Sequence, residues 1–207
     1  MAITIPGMDL QYWGKLELTT APTSELITTA EAKTHLRIDS SFTDDDAYID
    51  ALIIAAREIV EAHTRIKWAG AEYTLWFDEF PATDIITIND IGYARTAAVK
   101  YFDTDGVEQT LNTSKFTLQG QTIPPRIWLK ETASWPETRT DGPGVKIELE
   151  VGYTATTGNA TPGPILAAMK LIIGHLYENR QDVVDRIQYT MPQGAAYLIQ
   201  PFRDLSA

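Results

Sequence analysis

Two segments with helical periodicity lie near opposite ends of the 207-residue chain, and the sequence between them has a different character. Residues 28–66 and 162–181 place apolar residues three and four positions apart, as amphipathic helices do. Residues 71–153 are instead rich in aromatic and β-branched residues, which favour strands. The pattern predicts an α+β protein, in which a helical bundle is formed from the N- and C-terminal blocks and an antiparallel β-rich region is inserted between them.

The boundaries between these regions follow from turn and loop residues. Residues 1–27 are predicted to form an extended arm, with one short strand at residues 15–19, and to order only against a neighbouring molecule. Residues 28–70 and 156–207 are assigned to the helical core domain. Residues 71–155 are assigned to the β-rich insertion.

The first helical block contains two helix starts. Thr28 and Glu31 have the spacing of a capping box, which predicts a short helix that ends near Arg37. Thr43 is predicted to cap a second helix that runs to about Arg65, with the acidic residues 44–46 complementing the dipole of its first turn. One face of that helix is predicted to be buried: Ile49, Leu52, Ile53, Ala56, Val60 and His63.

The second block predicts a mostly apolar helix that begins near Pro164, since proline is tolerated in a first helical turn. Its residues 165–173 are apolar on several sides, so we expect burial on most of its surface. Gly174 costs about 1 kcal/mol relative to alanine inside a helix. The sequence therefore predicts that another backbone approaches closely there.

Strand-like segments occupy the middle of the chain, at residues 73–77, 84–88, 98–102 and 145–151. The last alternates apolar and polar residues without interruption, as a half-buried strand does. Asp105-Gly106 is a strong hairpin signal. An antiparallel sheet or a small sandwich is expected.

Charge and composition exclude several functions. The net charge is −11 and no basic stripe is present, so tight binding to a nucleic-acid backbone is not expected. The chain has no cysteine, which excludes thiolate metal sites and cysteine nucleophiles. No secretory signal and no apolar run of membrane-spanning length are apparent, so no membrane partner is expected.

No catalytic, cofactor or metal site is predicted, and the chain is not expected to be an enzyme. The three histidines each lie alone on a predicted helix. Residues 44–46 could bind a divalent cation, but capping a helix dipole is the simpler interpretation. Residues 103–106 are similar to the start of a calcium loop, but the rest of that motif is missing, which favours a hairpin turn.

The five tryptophans leave one alternative function open. Trp76 and Trp128 lie in strand-like runs and are predicted to be core residues. Trp13 lies in the arm and could anchor a partner. Trp68, Trp128 and Trp135 could instead stack on sugars, which would make the β-rich insertion a carbohydrate-binding module.

The order of the terminal motifs resembles the head-tail connector (adaptor) proteins of tailed bacteriophages, in the gp6-like group, and their relatives in gene transfer agents. The residues that carry the resemblance are Ala32-Lys33, Leu36-Arg37-Ile38-Asp39, Thr43-Asp44-Asp45-Asp46, Ala55-Ala56-Arg57, Val60-Glu61-Ala62-His63-Thr64, Leu176-Tyr177-Glu178-Asn179-Arg180, Pro192, Gly194, Leu198-Ile199 and Pro201-Phe202-Arg203. The chain departs from the smaller members of the group by its long β-rich insertion.

This resemblance implies a virion structural protein at the head-tail junction, made in the cytoplasm of a host bacterium. It implies a ring of copies, with twelve as the expected number, docked on the tail side of the portal protein. The ring would extend the DNA channel, let DNA pass without specific binding, and seat a downstream connector, stopper or tail component.

Seven residues are candidate interface residues in such an assembly. Three would shape the junction between the first two helices: Arg37, Asp39 and Asp46. Three would make contacts at the end of the bundle: Asn179, Arg180 and Arg203. Trp13, in the arm, would anchor a partner. For each of the six outside the arm, the alternative is a local cap or an exposed salt bridge worth under ~1 kcal/mol.

Overall fold

The computed structural model describes residues 15–153, 160–180 and 191–204. The chain divides into two compact units. The first, here called the sheet unit, comprises residues 1–21, 71–89 and 93–151. The second, called the helical unit, comprises residues 22–70, 90–92 and 152–207. Helices and antiparallel sheets are both present, so the α+β prediction is confirmed.

The sheet unit contains eight strands among the described residues. They are β1 (Lys15–Thr20), β2 (Ala71–Phe77), β3 (Ile85–Thr87), β4 (Ala94–Phe102), β5 (Glu108–Thr110), β6 (Phe116–Gln119), β7 (Arg126–Leu129) and β8 (Val145–Val151). Five of them form one sheet in the order β1-β2-β8-β4-β5, and three form another in the order β3-β7-β6. Neighbouring strands are antiparallel throughout, as the sequence predicted.

The alternation predicted for the last strand is confirmed in β8. Its odd-numbered residues, from Val145 to Val151, are all buried, while Lys146, Glu148 and Glu150 are half-buried on the other face. Glu148 lies between Lys100 and Lys146, whose hydrogen bonds lower the pKa of its carboxyl group. One face of the large sheet therefore supplies core residues and the other carries a network of charges.

The predicted hairpin connects β4 to β5. Gly106 has a positive φ of 77°, a conformation that glycine adopts at little cost. The carboxylate of Asp103 accepts hydrogen bonds from the side chain of Gln109 and from the backbone N–H groups of Val107 and Asp105, which lower its pKa. Its oxygens are thus used to build the turn, which supports the hairpin interpretation over a calcium loop.

The predicted arm is different in part from the structure. The expected short strand is present as β1, but it pairs with β2 of the same chain, and the hydroxyl oxygens of Thr19 and Thr74 are 2.7 Å apart. The expectation that residues 1–27 order only against a neighbour is therefore wrong for β1. Ile27 is buried in the core of the helical unit. Residues 1–14, which include Trp13, lie outside the described residues.

The helical unit contains helices from both ends of the chain. They are α1 (Thr29–Leu36), α2 (Asp46–Thr64), α3 (Gly163–Glu178) and α4 (Gln193–Ile199), and a 3-10 turn follows at Gln200–Phe202. The buried residues of α2 and α3 belong to one apolar core, which also includes Ala195 and Ile199 of α4. The two terminal blocks are thus parts of one compact unit.

The helix starts predicted for the first block have different outcomes. At α1, Thr28 and Glu31 form the predicted capping box and Arg37 ends the helix in the left-handed conformation. At α2, the helix starts at Asp46, later than the sequence indicated, and its cap residue Asp45 makes no capping bond. The carboxylate of Asp45 instead bonds to side chains of the second helical block.

The buried face of α2 is also broader and more polar than predicted. Ile49, Leu52, Ile53, Ala56 and Val60 are buried as expected, but His63 is exposed. Three polar residues of α2 are buried instead: Arg57, Glu61 and Thr64. Their hydrogen bonds, described below, explain how these groups are accommodated.

The third helix, α3, has an exposed side that the sequence did not predict. Ile165, Met169 and Ile172 are fully buried, whereas Leu171 is 38% exposed. At Gly174, an added Cβ would meet only the side chains of His35 and Leu36, at 3.6 and 4.0 Å. The expectation of a close backbone approach is therefore wrong.

We expect Gly174→Ala to stabilise the helical unit. The added methyl group would make ordinary van der Waals contacts, while the helix would gain about 0.5–1 kcal/mol from the lower backbone entropy of the unfolded chain. Urea denaturation followed by circular dichroism measures this change. A loss of stability in the variant would contradict the packing described for this position.

Candidate interface site

A buried lysine holds together the junction between α1 and α2. Lys33 is 5% exposed, and its Nζ donates hydrogen bonds to the carbonyl oxygens of Ser40 (3.2 Å) and Phe42 (2.5 Å). The same Nζ is 2.8 Å from Oδ1 of Asp46 in the first turn of α2. The ammonium group therefore ties the linker and the start of α2 to α1.

The predicted junction residues surround this lysine in sequence. Arg37 ends α1 with φ 59°, and Oδ1 of Asp39 accepts from the hydroxyl and backbone N–H of Ser41 at 2.7 and 2.8 Å. The Ser41 hydrogen bonds lower the pKa of Asp39. Arg37, Asp39 and Asp46 thus have local structural roles. Lys33 is the central residue, although the sequence indicated it only as part of the family resemblance and not as a candidate interface residue.

A second cluster, here called the α2–α3 clamp, joins the start of α2 to the end of α3. The hydroxyl of Tyr177 donates to Oδ2 of Asp45, and Nη2 of Arg180 is 2.9 Å from the same oxygen. The Arg180 guanidinium also lies over the rings of Tyr48 and Tyr177, at 4.7 and 4.8 Å from their centroids. Arg180 thus combines an ion pair with two cation–π contacts.

We expect the α2–α3 clamp to make the stability of the protein depend on acid pH. Hydrogen bonds from Tyr177 and Arg180 lower the pKa of Asp45 below its ordinary 3.8. Its stabilising contribution is therefore complete above that ordinary value and is lost as the pH falls through the lower folded-state pKa. We expect Asp45→Asn to lower the stability at neutral pH and to flatten its acid dependence.

Thermal unfolding of the Asp45→Asn variant from about pH 6 to about pH 2 tests this expectation. The melting curves of the variant and the wild type should converge at the acidic end. Asp44→Asn is the matched control, because Asp44 is exposed and its carboxylate makes no hydrogen bond or ion pair within residues 15–153, 160–180 and 191–204. Equal effects of the two substitutions would contradict a specific role for Asp45.

Asn179 ends α3. Its backbone N–H and its Nδ2 both donate to the carbonyl oxygen of His175, at 3.0 and 2.8 Å. Asn179, which was predicted to make contacts at the end of the bundle, is therefore a local cap of α3. It lies directly before Arg180 of the α2–α3 clamp.

Arg203 lies on a concave surface at the other end of α2. The backbone N–H of Asp204 donates to the carbonyl oxygen of Thr64 at 2.8 Å, which fixes the turn after α4 beside the last residue of α2. A cavity of about 460 Å³ opens here. It is lined by His63, Gln193, Ala196, Tyr197, Ile199, Gln200 and Arg203.

A buried ion-pair network lies between α2 and the segment that follows it. Glu61 is 5% exposed, and its carboxylate is 3.3 Å from the Arg57 guanidinium and accepts from the backbone N–H of Trp68 at 3.0 Å. Arg57 is also bound to Glu25 at 2.9 Å. Burial acts to lower the pKa of Arg57, but these carboxylates outweigh it and raise the pKa.

The tryptophans have different surroundings from those predicted. Trp76 and Trp128 are only partly buried, and the tryptophan of the core is Trp68, which is 1% exposed. Its Nε1 donates to Oγ1 of Thr64 at 2.9 Å, and its ring stacks on Tyr153 at 4.9 Å. Trp68 is therefore unavailable to a sugar.

Trp135 is also engaged within the chain. Its ring stacks on Phe80 at 4.7 Å and 7°, and its Nε1 donates to the carbonyl oxygen of Thr83. One ring face and the polar atom are therefore used to hold the loop between β7 and β8. Of the three tryptophans considered for carbohydrate binding, Trp68 is buried and Trp135 is partly occupied.

The described part of the chain has neither a cluster of metal ligands nor a membrane-spanning helix. Within residues 15–153, 160–180 and 191–204, no three side chains of His, Cys, Asp or Glu are grouped as metal ligands would be. In the same ranges, no helix is both long enough and apolar enough to cross a membrane.

The chain is similar to known assembly proteins. Residues 27–116 match the family described as phage gp6-like head-tail connector protein. A chain from the neck of an empty gene transfer agent (GTA) particle, computed with C6 symmetry, is 26% identical with a TM-score of 0.77. That match covers 93% of this chain and 97% of the other. No curated protein matches the chain in sequence.

Two other solved structures agree with this result. A chain from the virion of a native GTA particle is 25% identical with a TM-score of 0.74, and the match covers 93% of this chain and 96% of that one. A chain from the neck of a native GTA particle, computed with C12 symmetry, shares the fold at 24% identity and a TM-score of 0.67, covering 92% and 97%. These matches support the expectation of a structural protein rather than an enzyme. The resemblance carried by the terminal helical blocks is thus confirmed, since the chain is similar to phage gp6-like head-tail connector proteins and to chains of gene transfer agent particles.

Proposed function

We propose that this protein is a head-tail connector, or adaptor, which forms a ring on the tail side of the portal protein and extends the DNA channel. The observation that carries the proposal is the match over 93% of the chain to a protein in the neck of a GTA particle. The C6 and C12 symmetries of the two matched neck structures favour a ring, with twelve copies as the expected number. Such a ring would seat a downstream connector, stopper or tail component.

The charge of the chain is compatible with that position. A net charge of −11 without a basic stripe disfavours tight binding to DNA phosphates. DNA would therefore pass through the ring without specific binding. In this proposal the protein resides in the virion and is made in the cytoplasm of the host bacterium.

We propose that the helical unit is the bundle through which the subunit contacts its neighbours and the portal. Six candidate interface residues are divided between its two ends. Arg37, Asp39, Asp46, Asn179 and Arg180 lie at or beside the α1–α2 junction and the clamp, and Arg203 lies on the concave surface. Trp13 lies outside the described residues and is proposed to anchor a partner.

Electron microscopy of the full chain mixed with the portal protein of the same particle tests the proposal. We expect rings stacked coaxially on the portal, with twelve subunits in projection averages. A chain that stays monomeric and does not bind the portal would overturn it. Monomers without the portal would not, because assembly on the portal is itself part of the proposal.

A further inference from the structure

We propose that copies of this chain contact one another head to tail, with the acidic end of one helical unit seated on the concave surface at the other end of the next. This inference rests on the proposed ring and names the surfaces that build it. The two surfaces differ from one another, as a ring of identical subunits requires.

The acidic end is built around the α2–α3 clamp. Residues 33–50 and 177–180 contain six carboxylates and three basic side chains. Two of those bases are already engaged, since Lys33 is buried against Asp46 and Arg180 is paired with Asp45. Asp44 and Glu178 are both exposed. This end therefore presents carboxylates to a partner.

The concave surface carries a positive charge instead. Arg203 is exposed on it, and no carboxylate pairs with Arg203 in the part of the chain that the structure describes. Tyr197 is 78% exposed, more than any other large apolar or aromatic residue in that part of the chain. Arginine and tyrosine are enriched among the residues that dominate binding energy at protein interfaces. His63 adds a third group that can bind a carboxylate.

The geometry of α2 prevents these surfaces from meeting within one molecule. The clamp holds the first turn of α2, and the concave surface lies beside its last turn, since Asp204 bonds to Thr64. The helix has 19 residues, which places the two surfaces about 28 Å apart. The two surfaces can therefore meet only between copies, and an open arc of copies retains one free acidic end and one free concave surface until the ring closes.

Disulfide trapping gives a direct test, because the natural chain has no cysteine. Asp44→Cys and Ala196→Cys are made in separate full-length chains and mixed on portal rings under mild oxidation. We expect the mixture to give cross-linked dimers about tenfold above each variant alone, because the two thiols are held at high local concentration. Val107→Cys, on the exposed β4–β5 hairpin, replaces Ala196→Cys as the control.

Charge reversal gives an independent test. Arg203→Glu places like charges opposite the acidic end, and Asp44→Arg does so opposite the concave surface, so each variant alone should reduce ring yield about tenfold. A 1:1 mixture should recover ring formation. In an even-numbered ring in which the two variants alternate, every contact joins unlike charges.

The outcomes separate this inference from the proposed function. If the wild type forms rings on the portal but neither the cross-link nor the recovery in the mixture appears, the head-to-tail surfaces are wrong and the connector function stands. If the wild type forms no rings on the portal, the connector function fails and the inference fails with it. A cross-link from Asp44→Cys alone, at the level of the mixture, would show that like ends meet and would also overturn it.

Discussion

Glu61→Ala is expected to destabilise the helical unit by about 3–5 kcal/mol, because it leaves the buried Arg57 with one fewer countercharge. The substitution also removes the acceptor for the backbone N–H of Trp68. A buried donor without a partner costs about 1–3 kcal/mol, and this contribution is included in the range above. Chemical denaturation followed by circular dichroism measures the loss.

Glu58→Ala is the matched control for that experiment. Glu58 is on the same helix and is 3.7 Å from Arg57, but its side chain is 66% exposed. An exposed pair of this kind contributes under about 1 kcal/mol. If Glu61→Ala is no more destabilising than Glu58→Ala, the buried network does not stabilise the unit as described.

Trp68→Ala is expected to have an effect of similar size, about 3–5 kcal/mol, through the loss of packed volume. Trp68 is 1% exposed and contacts both Tyr153 and Phe202, with ring centroids 4.9 and 5.9 Å away. Its removal would leave a cavity at the point where the segment after α2 meets the last described turn of the chain. The same denaturation experiment measures the loss.

Two substitutions set the scale for Trp68→Ala. Trp76→Ala removes an equally large side chain from the partly exposed face of β2, and we expect a smaller loss there. Trp68→Phe keeps an aromatic ring in the core but loses the hydrogen bond to Thr64. Its loss of stability should therefore lie between those of Trp76→Ala and Trp68→Ala. Equal losses for Trp68→Ala and Trp76→Ala would contradict the core position of Trp68.

Elements with a local signal were predicted from the sequence. The capping box of Thr28 and Glu31, the Asp105-Gly106 turn and the alternation of β8 each depend on residues within about six positions of one another. These short patterns form through contacts between residues that are near in sequence, so they can be predicted without knowing the tertiary contacts of the chain. The α+β class and the strands β2, β3, β4 and β8 follow from other local signals, namely helical periodicity, runs of aromatic and β-branched residues, and alternation.

Features that depend on distant residues were not predicted. Asp45 and Tyr177 are 132 positions apart, and their contact decides that Asp45 does not cap α2 through its side chain. The predicted buried face of α2 did not include Arg57 and Glu61, although their mutual pairing allows these charged residues to be buried. The short strands β5 and β6 were also not predicted, because β5 is entirely polar and β6 alternates over only four residues.

The candidate interface residues show the same difference between local features, which were predicted, and features that depend on distant residues, which were not. The sequence placed Arg37, Asp39 and Asp46 at a helix junction, and the structure gives each a local role there. It did not indicate Lys33 as their common centre, since nothing in a single lysine within a helical pattern distinguishes a buried ammonium from an exposed one. The concave surface around Tyr197 was also missed, because it is assembled from α2 and α4.

The interleaved order of the two units constrains how the chain can fold during synthesis. All strands described for the sheet unit are complete by Val151, before the first residue of α3 has been made. At that stage the apolar face of α2 has no α3 to cover it, although the two belong to one core. The helical unit, which carries both proposed contact surfaces, is therefore the later of the two to become whole. A growing chain has no complete surface to offer a neighbour until all residues of its sheet unit have been synthesised.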